Sequence, residues 1–459
     1  MKEPKGVGLK TGALKLNDCI MMAIGGMVGS AIYSLSGVTY SLAGPAAVLS
    51  WIISGVITLI YAMNVAELAT IYPKSGGVYI YPYEVLGRTN GQKSFWGWFT
   101  AWSRLASVIG GAAFSAIYVS YYLKALIPAA ENYQVLLGVL AVIVCWLLNI
   151  LGVKLLSRIN KGLTATLMTI SVIFIIMCLP KFNVAHFRPF FGQGTAGTQG
   201  FLASIPISMV AYGSILAIAS VAEEIENPQV NIPKATGYSA FATIAMYTLM
   251  LLATFGLVPA SSFADNHFAM YAPMDFAIVQ AMPQHIWLSK LISIGAFLAL
   301  MTTILILVME SGRIVMASAK LGLLPKSLAN INEKTNIPTN ALTLCSLVTA
   351  IIAAFPQFTQ TIINSGAFCS GVVVIMIVIT LIVNRSKKVT VPGAFRTPGG
   401  LLFPIISLII VVLTLTQLEA SSFVVTAWWY VVGLVIFLLG YLFSIKRLEQ
   451  SGISDSISK

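Results

Sequence analysis

The chain has 459 residues, of which 58% are apolar or aromatic and only 9% charged, far below the ~25% charged residues usual in soluble domains. Water is therefore not its only solvent, and a net charge of +12 does not point to nucleic acid, because no soluble basic face exists to carry it. Apolar stretches of roughly 18 or more residues recur along the chain, each long enough to cross a hydrocarbon core of ~30 Å as a helix, whereas a β-barrel would show ~10-residue alternating segments around a polar lumen.

The first stretch, 17–40, is too long for the apolar part of a cleavable leader and has no small-residue cleavage site before the next one, so it is predicted to remain as the first helix. Five more follow in the first half, at 45–71, 95–123, 133–151, 162–179 and 201–222, and six in the second, at 240–258, 286–311, 341–355, 361–383, 401–418 and 423–443. The fold class is thus all-α and integral to the membrane, with about twelve spans. With the N-terminus in the cytoplasm, roughly 22 of the 27 Lys and Arg fall on the cytoplasmic side, about four outside and one, Arg104, within the membrane. Lys2, Lys5, Lys10 and Lys15 begin that asymmetry, and Lys154, Arg158, Lys161, Arg385, Lys387, Lys388, Lys446 and Arg447 continue it. These charges hold topology, and none of them is assigned to a substrate.

Cys19, Cys145, Cys178, Cys345 and Cys369 lie in or at the ends of apolar stretches without paired metal-ligand spacing, and read as buried thiols. His186, His267 and His285 fall in extracytoplasmic loops with neither metal-ligand nor catalytic-triad spacing, which argues against a membrane enzyme. An ion channel would need a selectivity filter or a ring of charges, and no TVGYG-like loop is present. The pairs Tyr121 with Tyr122 and Trp428 with Trp429 read as interfacial belts.

Within the first helix lies GGMVGSAIY, residues 25–33, with three glycines in nine residues. In lipid, unwound backbone is tolerated only where it lines a cavity or is buried in protein, so the run marks either close helix packing or a binding site. A helix restarting at Ser30 would offer free N–H groups and a positive dipole end to a carboxylate, while the carbonyls that end the preceding half attract an ammonium.

Three stretches carry a resemblance to a known family. GGMVGSAIY resembles a first-helix signature G-x-[IM]-[IV]-G-[ST]-[GA]-[IV]-[FY]; ELATIYPKSGGVYIYPYEVLG, residues 67–87, is similar to the pattern E-L-A-x-x-x-P-x-S-G-G-x-Y-x-Y after the second helix; AEEIENPQVNIPKA (222–235) and GRIVMASAKLGLLPKSLANINEKTNIP (312–338) are similar to loops after the sixth and eighth helices. The family is the amino acid, polyamine and organocation transporter superfamily, in its bacterial amino acid permease and exchanger branch. The resemblance implies the LeuT-type fold, in which helices one to five and six to ten form an inverted repeat with helices one and six broken at mid-membrane, and helices eleven and twelve lie outside it. On that reading 1–16 is a cytoplasmic segment, 17–383 the transporter core of helices one to ten, 384–400 a cytoplasmic loop, 401–443 the last two helices and 444–459 a cytoplasmic tail.

Carried over by motif, Ser30 and Ala31 present backbone N–H groups to a substrate α-carboxylate, Gly29 allows the close approach, and the Met27 carbonyl accepts from the α-amino group. In helix six the family breaks at positions matching Ser214, Ile215 and Leu216, with Val210 and Gly213 lending carbonyls and Tyr212 walling the ligand. Leu216 replaces an acid present in several relatives, which argues against a dibasic substrate. Arg104 needs a partner at its depth, since a buried Arg costs roughly 2.5–3.5 kcal/mol at a helix centre; that partner is either the substrate, with Arg104 facing the cavity and favouring an extra anionic or strongly polar group, or a buried acid or a network of carbonyls. Glu310, three residues before Arg313, has the spacing of a local pair, and Glu67, Glu223 and Glu224 join it as structural or gating residues at cytoplasmic helix ends. Some proton-coupled relatives carry a lysine in helix five, and 162–172 has none. Thr302 and Thr303 are placed to complete a sodium site with helix-one carbonyls, although such hydroxyls more often bond their own preceding turn. No cofactor is expected. The expected function is secondary transport of an amino acid or close derivative through a bilayer, by permease or exchange, with an amino acid/amine antiporter as the alternative and proton or sodium coupling open.

Overall fold

The computed structural model describes residues 12–74, 77–124, 126–263, 269–270, 272–416 and 420–450. Lys2, Lys5, Lys10, His267, Ser75 and Gly76 of the second motif, the end of the 401–418 stretch and the last part of the tail lie outside the described residues. The described residues form helices α1 (Leu16–Met27), α2 (Ser30–Ala43), α3 (Ala47–Ile71), α4 (Ile80–Val85), α5 (Asn90–Lys124), α6 (Gln134–Ile150), α7 (Val153–Cys178) and α8 (Gln199–Met209). They continue with α9 (Ala217–Ser220), α10 (Pro228–Leu257), α11 (Pro273–Ala281), α12 (Ile286–Lys320), α13 (Thr339–Ala353), α14 (Thr359–Ser386), α15 (Leu402–Leu415) and α16 (Ala420–Gln450). No β-strand occurs among the described residues; one isolated bridge pairs Leu14 with Ile225.

Eight helical segments are long and apolar enough to cross a membrane, and four shorter apolar helices, at Leu16–Met27, Gln134–Ile150, Thr339–Ala353 and Leu402–Leu413, lie among them. The outer face of the bundle is apolar as well as its core. Leu136, Leu140 and Leu147 on α6, and Trp428, Leu438 and Leu442 on α16, stand exposed, while serines, threonines and two arginines are buried. That is the arrangement of a multi-pass membrane protein, whose outer faces need apolar surface and whose polar groups must be satisfied within the bundle.

α5 and α12, 35 residues each and therefore roughly 50 Å long, pack on each other at the centre, with α1 and α7 against α12 and α14 against α5. Small residues bring α3 onto α8: the Ser50 and Ser204 hydroxyls meet at 2.9 Å and those of Ser54 and Ser208 at 2.8 Å. Such pairs allow close helix approach in a medium that offers no other partner.

Several helices run past their predicted ends. α10 begins twelve residues early, with Pro228 at its first position, where a missing N–H costs little, and Pro233 inside the helix. α12 continues to Lys320 because Glu310 and Arg313, which would stop an apolar span, are each paired inside the bundle. The expected local pair between those two residues is corrected: Glu310 holds Arg104, and Arg313 holds Glu224 at 2.8 Å. α7 starts at Val153, so the fifth helix does contain lysine; Lys161 pairs with Asp18 of α1 at 2.6 Å. The five cysteines are free and buried.

Candidate functional site

Two helical breaks face each other in the middle of the bundle. In the first, α1 ends at Met27, Val28 turns out of the helix (φ −71°, ψ 66°), Gly29 is extended (φ −122°, ψ −148°) and α2 restarts at Ser30 without a side-chain cap. Ser30 and Ala31 are buried, so the orphan N–H groups of that first turn open into protein rather than water. Pro206 lies inside α8 and removes one helical hydrogen bond; the second break comes after it, where the chain tightens into a 3-10 helix over Val210–Leu216 before α9 resumes.

Close packing joins the breaks. A Cβ on Gly26 would lie 2.9 Å from the Ser214 Cβ, and one on Gly29 only 1.7 Å from the Thr303 Oγ1. Thr303 donates to the Gly26 carbonyl at 3.4 Å, whereas Thr302 donates to Ala299 on its own helix at 2.9 Å. Of the two candidate hydroxyls, only that of Thr303 reaches the first helix. The Ser30 hydroxyl meets that of Ser115 on α5 at 2.9 Å.

Tyr247 of α10 was not signalled by any motif. Its hydroxyl lies within hydrogen-bond reach of the Met27 carbonyl and of the Ala211 carbonyl at 3.2 Å, one from each break, and with a single proton it donates to one at a time. The sequence hint was a tyrosine within a membrane-spanning helix, where a buried hydroxyl needs a partner. Tyr212 donates to the Trp51 carbonyl at 3.0 Å and packs its ring 5.1 Å from that of Tyr247.

A cavity of about 120 Å³ lies beside the second break. Arg104, Val210, Gly213 and Ser214 line it, together with Phe114 of α5 and Ile362 of α14. Met27, Gly29, Ser30, Ala31 and Tyr212 do not; they stand behind Ser214, which both lines the cavity and packs on Gly26. A Cβ on Gly213 would meet nothing within 4 Å, so this glycine opens directly on the cavity. Among the described residues no carboxylate lines it.

Arg104 is gripped in a fork. Its Nε donates to Glu310 Oε1 at 2.6 Å and its Nη2 to Oε2 at 2.9 Å, with Nη2 also 3.3 Å from the Gly213 carbonyl. Both side chains are 2% exposed, so the geometry is the bidentate one in which Arg and carboxylate offset each other's desolvation best. Of the partners open to Arg104, the structure supplies the buried acid and one carbonyl.

At one end of the bundle lie three further ties. Glu224 accepts from Arg313 with both residues 1% exposed, and Leu14 donates its N–H to the Glu224 carbonyl while its own carbonyl accepts from the Glu226 N–H. Glu67 accepts from Arg385 and from the Thr397 N–H. Gly77, at φ +54°, lets the second motif pass within van der Waals reach of Ser220 where any Cβ would sit 3.1 Å from its Cα. All three family-like stretches therefore meet the ends of the broken helices or of α12.

A family model described as amino acid permease matches residues 14–441. The chain is 24% identical over 441 residues to the branched-chain amino acid permease BcaP of Bacillus subtilis (strain 168), an alignment covering 92% of this chain and 91% of that one. It is 26% identical over 441 residues to the methylthioribose transporter of the same organism, covering 92% of each. It is 28% identical over 413 residues to the mitochondrial cationic amino acid transporter 3 of Arabidopsis thaliana, covering 85% of this chain and 64% of the relative.

Proposed function

The chain belongs to the amino acid permease family, and from that premise we propose that it moves an amino acid or close derivative across the cell membrane by alternating access around the two helix breaks. The observation that carries the reading is the buried, uncapped start of α2 at Ser30. A helix N-terminus inside a bilayer needs an acceptor, and a carboxylate is the acceptor that its dipole favours.

In the proposed mechanism the Ser30 and Ala31 N–H groups take the α-carboxylate, and Gly29 keeps the approach clear. The Met27, Val210 and Gly213 carbonyls take the ammonium through the lone pairs that Tyr247 and Arg104 leave open. Ser214, with Tyr212 behind it, stands between the cavity and the first break, and in the proposed cycle this wall moves aside so that one ligand touches both breaks. α1 with α2 form one crossing and α8 with α9 another; counted with α3, α5, α6, α7, α10 and α12 to α16, this makes twelve spans. The same count supports a core at 17–383 built as a five-plus-five inverted repeat, followed by the loop 384–400 and two extra helices at 401–443. Placing the segment 1–16 and the tail 444–459 in the cytoplasm follows the Lys and Arg asymmetry.

The cavity lining supports a zwitterion with an apolar side chain. Phe114, Met209, Leu307 and Ile362 face it, Leu216 stands where an acid would receive a second cation, and Arg104 is already neutralised. Counterflow in proteoliposomes tests this directly: one labelled neutral amino acid is expected to accumulate against unlabelled leucine, isoleucine or valine and not against arginine. Running the assay with and without a sodium or pH gradient reports the coupling ion, and saturable counterflow excludes a channel. Absence of counterflow for every amino acid and amine would overturn the proposal.

The cavity makes a sharper prediction at Gly213. Since a Cβ there meets open space, Gly213→Ala is expected to fold and transport, while Gly213→Leu folds but loses uptake by roughly tenfold or more through occupied space. Equal uptake by the two variants would remove the cavity from the substrate path.

A further inference from the structure

We propose that the crevice between α4, the start of α5 and the end of α14 is a binding site for an anionic phospholipid, with the headgroup phosphate on Arg88 and Lys387 and an acyl chain along Met376, Ile379 and Val383. The crevice has a volume of about 540 Å³ and shares no lining residue with the cavity beside the second break. Its two ends differ in chemistry. At one end stand Arg88 and Lys387, both exposed; at the other are Met376, Ile379, Val383 and the Trp96 ring.

Four observations together favour a lipid over a solute. First, the walls belong to α5 and α14, which pack along each other as membrane-crossing helices, so an apolar groove between their ends opens sideways toward acyl chains. Ile379, 39% exposed, stands on that flank. Second, the crevice combines a tryptophan with two cations, the residue types that collect where headgroup meets hydrocarbon. Third, the nearby acids are already neutralised: Glu84 pairs with Lys74 at 2.6 Å and Glu67 with Arg385 at 2.5 Å. Among the described residues the Arg88 guanidinium meets no carboxylate, and Lys387 spends only one of its three protons, on the Val85 carbonyl at 2.7 Å. Fourth, the Arg88 N–H is capped by Gln92 Oε1 at 2.9 Å, which fixes the turn entering α5 and so the base from which the arginine extends. Basic pockets between transmembrane helices on the cytoplasmic side are suited to anionic headgroups, each Lys or Arg adding about fivefold in affinity.

The test uses the full-length protein purified in detergent and given equal amounts of dioleoyl phosphatidylglycerol and dioleoyl phosphatidylcholine, with retained lipid read by native mass spectrometry. Phosphatidylglycerol is expected to be retained preferentially, and R88Q/K387Q to weaken its retention by about thirtyfold while leaving phosphatidylcholine unchanged. Millimolar inorganic phosphate is not expected to displace it, because phosphate lacks the chain that fills the apolar end. Equal retention of the two lipids, unchanged retention by R88Q/K387Q, or displacement by inorganic phosphate would each overturn the proposal. Should the double variant fail to give a single size-exclusion peak, Ile379→Trp keeps both charges and fills the groove; undiminished phosphatidylglycerol on that variant is equally fatal. The site rests on the bundle lying in a bilayer and not on which solute is carried, so it stands or falls separately from the counterflow result.

Discussion

Arg104→Ala is expected to destabilise the folded protein by about 3–5 kcal/mol, because it leaves the Glu310 carboxylate buried without its cation. The size follows from geometry. Both partners are 2% exposed, and both carboxylate oxygens are held by one guanidinium. Glu310→Ala leaves the mirror-image problem, a guanidinium in the same interior with only the Gly213 carbonyl at 3.3 Å, and is expected to cost a similar amount. The double variant Arg104→Met/Glu310→Leu removes both charges and is expected to recover most of the loss, since apolar residues of similar volume often replace a buried ion pair without penalty. Thermal unfolding in detergent, with all three variants and the parent in parallel, reads the cycle. Additive losses, or single variants as stable as the parent, would show that the two side chains do not form a pair in the folded state.

This pair also marks the limit of what a linear reading reaches. The break of the first helix was legible: the glycines of 25–33 placed it, and the helix restarts at the predicted Ser30. The break in the sixth was legible through the distance from the A-E-E end, and the 3-10 helix Val210–Leu216 contains the three positions picked out. Hydropathy located the apolar segments, yet it stopped them at charges. Arg313 and Lys161 lie just outside the predicted spans, whereas each is paired with a residue distant in the chain and the helix continues through it. Periodicity reports the neighbours that a helix supplies itself, so it favoured Glu310 with Arg313, three residues away. The actual partner of Glu310 lies 206 residues off, and only the packing of α5 on α12 brings it near. Tyr247 went unnoticed for the same reason, because its role lies in two carbonyls from two other helices.

The seam between Gly29 and Thr303 yields the second large effect. Gly29→Ala is expected to cost about 1–3 kcal/mol as overpacking and to abolish transport, because its methyl group would fall 1.7 Å from the Thr303 Oγ1 and 3.3 Å from the Gly26 carbonyl. Only the hydroxyl is in severe conflict; the Thr303 Cβ is 3.1 Å away, close enough to give by a few tenths of an ångström. Gly29→Ala/Thr303→Ala is therefore expected to recover much of the stability lost by Gly29→Ala, and thermal unfolding in detergent reads that recovery. Transport separates two roles for the glycine. If Gly29 serves only to pack α1 on α12, the double variant regains counterflow together with stability. If its bare Cα also leaves room for a carboxylate at the Ser30 and Ala31 N–H groups, stability returns while counterflow stays lost, and this second result is the one expected from the binding proposal.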